Sequence, residues 1–183
     1  FNKALEYDPI NSAAMFRIGN IYYAIRDYVK ASEILEKGLK INENNYIVFY
    51  MVGKCYVALN DPEKALSFFD KTLNVNANYL NAIFEKAKVY KSLSNLDEAI
   101  YYLNEIITID KSYYKAYELL IDIEVNRSNL EQAISYCNAA LIVSPNAYSI
   151  LGRLAAVYNE QEMYDKAREN AKLSIKTKKN YAQ

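Results

Sequence analysis

The chain has no histidine and no tryptophan. Losing histidine removes the usual general base, the Ser-His-Asp triad and the commonest zinc ligand at one stroke. Cysteine is scarce. Cys55 and Cys137 stand 82 positions apart and cannot form a zinc site by themselves. Both lie within apolar helical patterns, so two buried free thiols are expected, and with them a reducing compartment such as the cytoplasm. Only four glycines occur, none in a phosphate-cradling GxGxxG or GxxxxGK[ST] loop. No apolar run nears the roughly 20 residues of a membrane span. Neither sign of charge dominates: 22 Lys and Arg face 22 Asp and Glu. That balance gives no pull toward nucleic acid or an anionic membrane, and it outweighs the stacking surface that 19 tyrosines supply. Together these absences leave no cofactor, no metal and no catalytic set to expect. Acidic neighbours such as Asp97 and Glu98 read as charges at a helix start, not as a catalytic pair.

What is present is a repeat. Ala31, Ala65, Ala99, Ala133 and Ala167 recur every 34 residues. Tyr22, Tyr56, Tyr90 and Tyr158 form a second column in the same frame. Gly19, Gly53, Ala87 and Ala155 form a third, and Tyr28, Leu96, Leu130 and Tyr164 a fourth. Taking Ser12 as the first residue of the frame gives five repeats: 12–45, 46–79, 80–113, 114–147 and 148–181. Residues 1–11 align with the end of a second helix from a preceding, partial repeat.

Within each repeat the pattern predicts two helices. In the second repeat Phe49, Val52, Tyr56 and Leu59 keep the three-and-four spacing of an amphipathic helix. Asn60-Asp61-Pro62-Glu63 then breaks the chain. Asp61 suits an N-cap and Pro62 the first position of the next helix. Asn95 and Asn129 are placed to start second helices in the same way. No alternating pattern marks a strand. Two helices joined by a few residues must run antiparallel. Small residues in the first helix let the second approach, and the larger Tyr and Leu side chains fill the space between pairs. One pair cannot bury its apolar face alone, so pairs must stack.

These columns resemble the tetratricopeptide repeat (TPR) family. Its pattern sets a large residue, Leu, a small residue and Tyr in the first helix against Ala, an aromatic or Leu, and Ala in the second. Repeat two matches with Phe49, Val52, Gly53, Tyr56, Ala65 and Phe69. Repeat one matches with Met15, Ile18, Gly19, Tyr22, Ala31 and Leu35. Repeat five offers Leu151, Leu154, Ala155, Tyr158, Ala167 and Ala171. Departures occur at Lys86, in a Leu position, and in repeat four, where Ile121 replaces the small residue and Glu124 the Tyr. Helix packing is expected to loosen or shift there. The resemblance implies an all-α solenoid, a right-handed superhelix of antiparallel helix pairs whose first helices line a concave groove. It further implies a protein-binding scaffold that is not itself an enzyme. The alternative is a recruiting module of a larger enzyme whose catalytic domain lies outside this chain.

In that register the groove shows Phe16, Tyr50 and Phe84 at the fifth position of the first three repeats. Asn20, Lys54 and Lys88 stand at the ninth, Tyr23 at the twelfth and Asn81 at the second. Aromatic area flanked by Asn and Lys suits a peptide. Aromatics at helical spacing also serve as packing, and Lys54 and Lys88 also fit a solvated face. TPR co-chaperones grip the C-terminal carboxylate of heat-shock proteins with a Lys at the fifth position. Here that position never holds Lys, Met51 stands where the second repeat would carry Asn, and the third repeat offers Asn81 and Glu85 in place of a basic pair. No carboxylate clamp is expected. Nor is an Asn ladder of the sugar-transferase kind, since the sixth position reads Arg17, Met51, Glu85, Leu119 and Arg153. Phe1–Tyr7 belongs to a helix without its partner and no polar cap follows Lys179, so the array is expected to be part of a longer one, with open ends able to associate end to end.

Overall fold

The computed structural model describes residues 11–180. The expected helix over Phe1–Tyr7 therefore lies outside the described residues. Among the described residues there are ten helices and no strand. They are α1 (Ser12–Ala24), α2 (Tyr28–Leu39), α3 (Tyr46–Ala58), α4 (Pro62–Val75), α5 (Leu80–Ser92), α6 (Leu96–Ile109), α7 (Tyr114–Asn126), α8 (Leu130–Val143), α9 (Tyr148–Glu160) and α10 (Tyr164–Asn180). The chain forms two compact units, Phe1–Asn95 with α1–α5 and Leu96–Gln183 with α6–α10.

Local chemistry sets the helix ends. The side chains of Asn11, Asp27, Asn45 and Asp61 accept hydrogen bonds from the amides of Ala14, Lys30, Val48 and Lys64 at 2.8, 3.3, 3.3 and 3.1 Å. Each satisfies a donor that the first turn leaves open. Pro62 occupies the first turn of α4, where its missing N–H costs nothing. First helices end in a shared motif. Arg26, Asn60, Ser94, Ser128 and Glu162 all have φ between 58° and 64°, the left-handed region, and they too recur every 34 residues. The amide after each reaches back to close the helix: Asp27 to the Tyr22 carbonyl at 2.9 Å and Asp61 to the Tyr56 carbonyl at 2.9 Å, for example. Asp27 and Asp61 thus close one helix with their backbone and open the next with their side chain.

In the first unit α1 pairs with α2 and α3 with α4, α2 packs on α3, and α4 packs on α5. The first helices are also neighbours, α1 beside α3 and α3 beside α5. The alanine column marks the core: Ala31, Ala65, Ala99 and Ala133 are fully buried, and Ala167 is 9% exposed. One cluster gathers Ala31, Leu35, Leu39, Val48, Val52 and Cys55, and a second Ala65, Phe69, Ala82 and Val89. Burying a side chain the size of Phe69 stabilises the fold by about 1.5–3 kcal/mol. Outside the core a lysine clamps the two helices of a repeat. The ammonium of Lys30, Lys64 and Lys166 stands over the ring of Tyr22, Tyr56 and Tyr158 at 5.7, 4.9 and 5.3 Å.

The second unit centres on Tyr117, Ile121, Ala133, Cys137, Ala140, Ile150, Leu154 and Val157. The departures from the repeat pattern are accommodated there in an instructive way. Ile121, large where a small residue is usual, shares its cluster with Cys137, small where the first two repeats carry Leu35 and Phe69. Volume is conserved across the pair, although α7 and α8 run close together along less of their length than α1/α2, α3/α4 or α9/α10. Glu124 is buried and accepts a hydrogen bond from Asn129 Nδ2 at 3.0 Å. Asn129, expected to cap α8, makes no side-chain cap because its amide turns to Glu124 instead. In the first unit Lys86 is buried without disrupting α5, its ammonium 2.5 Å from Asp70 on α4.

Candidate functional site

The side chains singled out in the first three repeats fall on α1, α3 and α5 of the first unit. Lys54 joins two of these helices. From α3 its ammonium stands 4.9 Å from the ring centre of Tyr23 on α1 and 5.6 Å from that of Tyr50 on its own helix. The lysine is half-buried between two π-faces, a different environment from the open solvated face that its spacing alone suggests.

The aromatics do two jobs at once. Phe16 packs its ring on the bare backbone of Gly38, where a Cβ would come within 2.5 Å of Phe16 Cε1. Tyr50 meets Phe69 with ring centres 6.1 Å apart and Tyr79 edge-on at 5.2 Å. Phe84 lies 5.9 Å from the Lys88 ammonium, which also pairs with Glu85 at 2.8 Å. Phe16, Tyr23, Tyr50 and Phe84 are all only half-buried. Asn20, Asn81 and Lys88 are exposed beside them.

Sequence reasoning missed Tyr79. It precedes α5 at the N-cap position without a side-chain cap bond, and it meets both Tyr46 and Tyr50 edge-on at 5.2 Å. An aromatic just ahead of a helix is the one signal that pointed to it. Tyr28, in the fourth column, likewise braces Tyr23 edge-on at 5.3 Å.

Clefts also occur away from these residues. One of about 340 Å³ is lined by Glu36, Leu39, Lys40, Glu43, Phe49, Phe68 and Lys71. Beside it, a cleft of about 240 Å³ reaches Tyr56, whose hydroxyl donates to Glu36 Oε1 at 2.7 Å. Burial first and this bond second push the Tyr56 pKa up to about 12. In the second unit a cleft of about 390 Å³ is lined by Asn146, Leu173, Lys176, Thr177 and Asn180. None of these three includes Phe16, Tyr50 or Phe84. Among the described residues no group of three or more Cys, Asp or Glu is placed to hold a metal ion, and no helix is long and apolar enough to cross a membrane.

Comparison with known proteins locates the fold. A search of curated proteins finds no significant match. Solved structures do match. The MamA crystal structure is 19% identical with a TM-score of 0.78, covering 93% of each chain. YrrB, described as a TPR protein with an unusual peptide-binding site, is 19% identical with a TM-score of 0.71, over 97% of this chain and 91% of that one. PilF of Pseudomonas aeruginosa is 18% identical with a TM-score of 0.73, over 91% and 76%. The family model for the tetratricopeptide repeat matches residues 12–45, 46–79 and 80–113, more than half of the chain. The chain belongs to the tetratricopeptide repeat family, whose all-α scaffolds typically serve protein–protein interaction.

Proposed function

We propose that this protein binds a segment of a partner protein along the first-helix face of its first unit, with Phe16, Asn20, Tyr23, Tyr50, Lys54, Asn81, Phe84 and Lys88 as the contact residues. One observation carries the reading. Lys54 stands between the rings of Tyr23 and Tyr50 from adjacent first helices, and both tyrosines remain partly exposed. Rigid aromatics with a preset cation supply contact area at little entropic cost, the composition from which binding hot spots are made. That YrrB, with the same fold, has a peptide-binding site supports a segment as the ligand. The face lacks the Lys of a carboxylate clamp at its fifth position, so the segment is held along its length and not by its terminus. Two free, buried thiols fit a cytoplasmic setting.

Affinity capture with the wild type and with Phe16→Ala/Tyr50→Ala, read by mass spectrometry, tests this. Truncating either ring should weaken partner binding by about 1–2 kcal/mol. Partner proteins should disappear from the variant while its helical circular dichroism persists. An unchanged set of captured proteins would exclude the aromatic face. Micromolar binding of a heat-shock C-terminal peptide would overturn the absence of a clamp.

End-to-end association belongs to the same proposal. Ile21 is 49% exposed, whereas Cys55, Val89, Ile123 and Val157 in its column are all buried. On α10, Leu173 and Ile175 are exposed as well. Sedimentation that stays monomeric at high concentration would rule this out.

A further inference from the structure

We infer that the segment held by the first unit is acidic, with carboxylate side chains about three residues apart. This rests on the binding face proposed above and adds the chemistry of its ligand. The argument begins with charge. Five positions of each first helix face the same way, the second, fifth, sixth, ninth and twelfth of the repeat. On α1, α3 and α5 those positions hold the cations Arg17, Lys54, Lys88 and Lys91 and a single carboxylate, Glu85. The equivalent positions on α7 and α9 hold Lys115 and Arg153 against Glu118 and Asp122 and so balance, while each face carries one ion pair, Lys88 with Glu85 and Arg153 with Asp122. A chain that is neutral overall therefore concentrates positive charge on one face of one unit.

Geometry supplies the spacing. Lys54 and Lys88 occupy the same column on neighbouring first helices, and packed helices lie about 8–10 Å apart. An extended chain advances about 3.3 Å per residue, so one crossing these helices meets a new cation about every third residue. Beside the cations stand the half-buried rings of Tyr23, Tyr50 and Phe84, which suit apolar side chains.

An acidic protein segment fits better than a nucleic acid. On this face Tyr23 and Tyr50 already share the Lys54 ammonium, which takes up π-faces on which bases would stack. The cations are also few and separated, unlike the dense basic track that a phosphate backbone demands.

Fluorescence anisotropy on the full chain tests the inference. The probe is a fluorescein-labelled peptide of about twelve residues made of Glu-Ser-Leu triplets. Its counterpart replaces every Glu with Gln, and a single-stranded oligothymidylate of matching charge serves as the nucleic-acid arm. At about 0.05 M salt the Glu peptide should bind at least ~10-fold more tightly than the Gln peptide, and about 0.5 M salt should erase most of that preference. Lys88→Glu/Lys91→Glu, the first residue exposed and the second half-buried on α5, should remove the preference without altering the circular dichroism. Lys54→Glu should do the same.

Equal binding of the Glu and Gln peptides, both lost in Tyr50→Ala, would overturn the acidic preference and leave the proposed binding face standing. Glu-peptide binding that survives both charge-reversal variants would overturn its placement on this face. No binding of the Glu peptide, or tighter binding of the oligothymidylate, would overturn the inference outright.

Discussion

The ring of Phe69 on α4 lies against the bare Cα of Gly53 on α3, so closely that a Cβ on Gly53 would come within 2.6 Å of Phe69 Cε1. Gly19 and Leu35 repeat the relationship in α1 and α2, with a Cβ 2.4 Å from Leu35 Cδ2. The small residue of the repeat pattern is therefore a seat for one large side chain of the partner helix. In an exposed helix Gly→Ala stabilises by about 1 kcal/mol. At Gly53 the sign should reverse, because overpacking costs about 1–3 kcal/mol and Phe69 is fully buried with little room to shift. Urea unfolding should show Gly53→Ala less stable than wild type, and Phe69→Leu in that background should cost less than it does alone.

The left-handed column offers the opposite experiment. Arg26, Ser94, Ser128 and Glu162 hold φ near 60° with a Cβ in place. That conformation costs an L-residue about 1–2 kcal/mol. Arg26→Gly and Glu162→Gly should each raise stability by about 0.5–1 kcal/mol, and Asn60→Gly by less, since Asn tolerates this region. Thermal denaturation of the three variants reads the order directly.

Acid should weaken the helix starts. A side-chain hydrogen bond to Lys30, then one to its amide, holds the Asp27 carboxyl below its ordinary 3.8. For Asp61 the bond to the Lys64 amide leads. A lowered folded pKa contributes stability above the unfolded value and loses it as pH falls through the folded one. Stability should accordingly decline as pH drops below about 3.8. Asp27→Asn/Asp61→Asn should start lower at neutral pH and decline less steeply, as thermal melts between neutral and acid pH would record.

Burial sets the thiols. It pushes Cys55 up to about 11 and Cys137 up to about 12, from an ordinary 9.0. Since the thiolate is the nucleophile, both should resist a disulfide reagent in the native protein at pH 8 and react fully in denaturant. A raised folded pKa keeps its stabilising effect below the unfolded value and loses it as pH rises, so the fold should weaken between about pH 9 and 12. Titration of thiol reactivity against pH would show native reactivity only where unfolding begins.

Lys86 makes a test of the repeat pattern itself. It stands in a Leu position, buried, with Asp70 2.5 Å away. Only the lysine is buried, and the Asp70 side chain is 53% exposed, so losing Lys86 leaves a solvated carboxylate whereas losing Asp70 takes a partner from a buried ammonium. Lys86→Leu should match or exceed wild type in urea unfolding, and Asp70→Ala should fall below it.

Much of this was legible in one sequence because a repeat is its own control. The alanine column predicted the core, and Ala31, Ala65, Ala99 and Ala133 are all fully buried. Asp61 and Pro62 predicted a helix start, and both stand where α4 begins. The left-handed column stayed hidden because none of its five members is glycine, the residue that usually announces such a turn. Asn129 looked like a cap, and only Glu124, five residues away, redirected its side chain. Ile121 read as a defect until Cys137 appeared in the same cluster, a compensation that lies between helices and leaves no local trace.

By itself the sequence determined the helix pairs, their period and the residues that must turn inward, because helix periodicity and side-chain size act over a few residues at a time. Only the tertiary structure decided what Lys54 does. Its spacing fits a solvated lysine, yet Tyr23 from one helix and Tyr50 from another place it between two rings. A side chain's surroundings depend on what neighbouring helices bring to it, and that information exists only once those helices have packed.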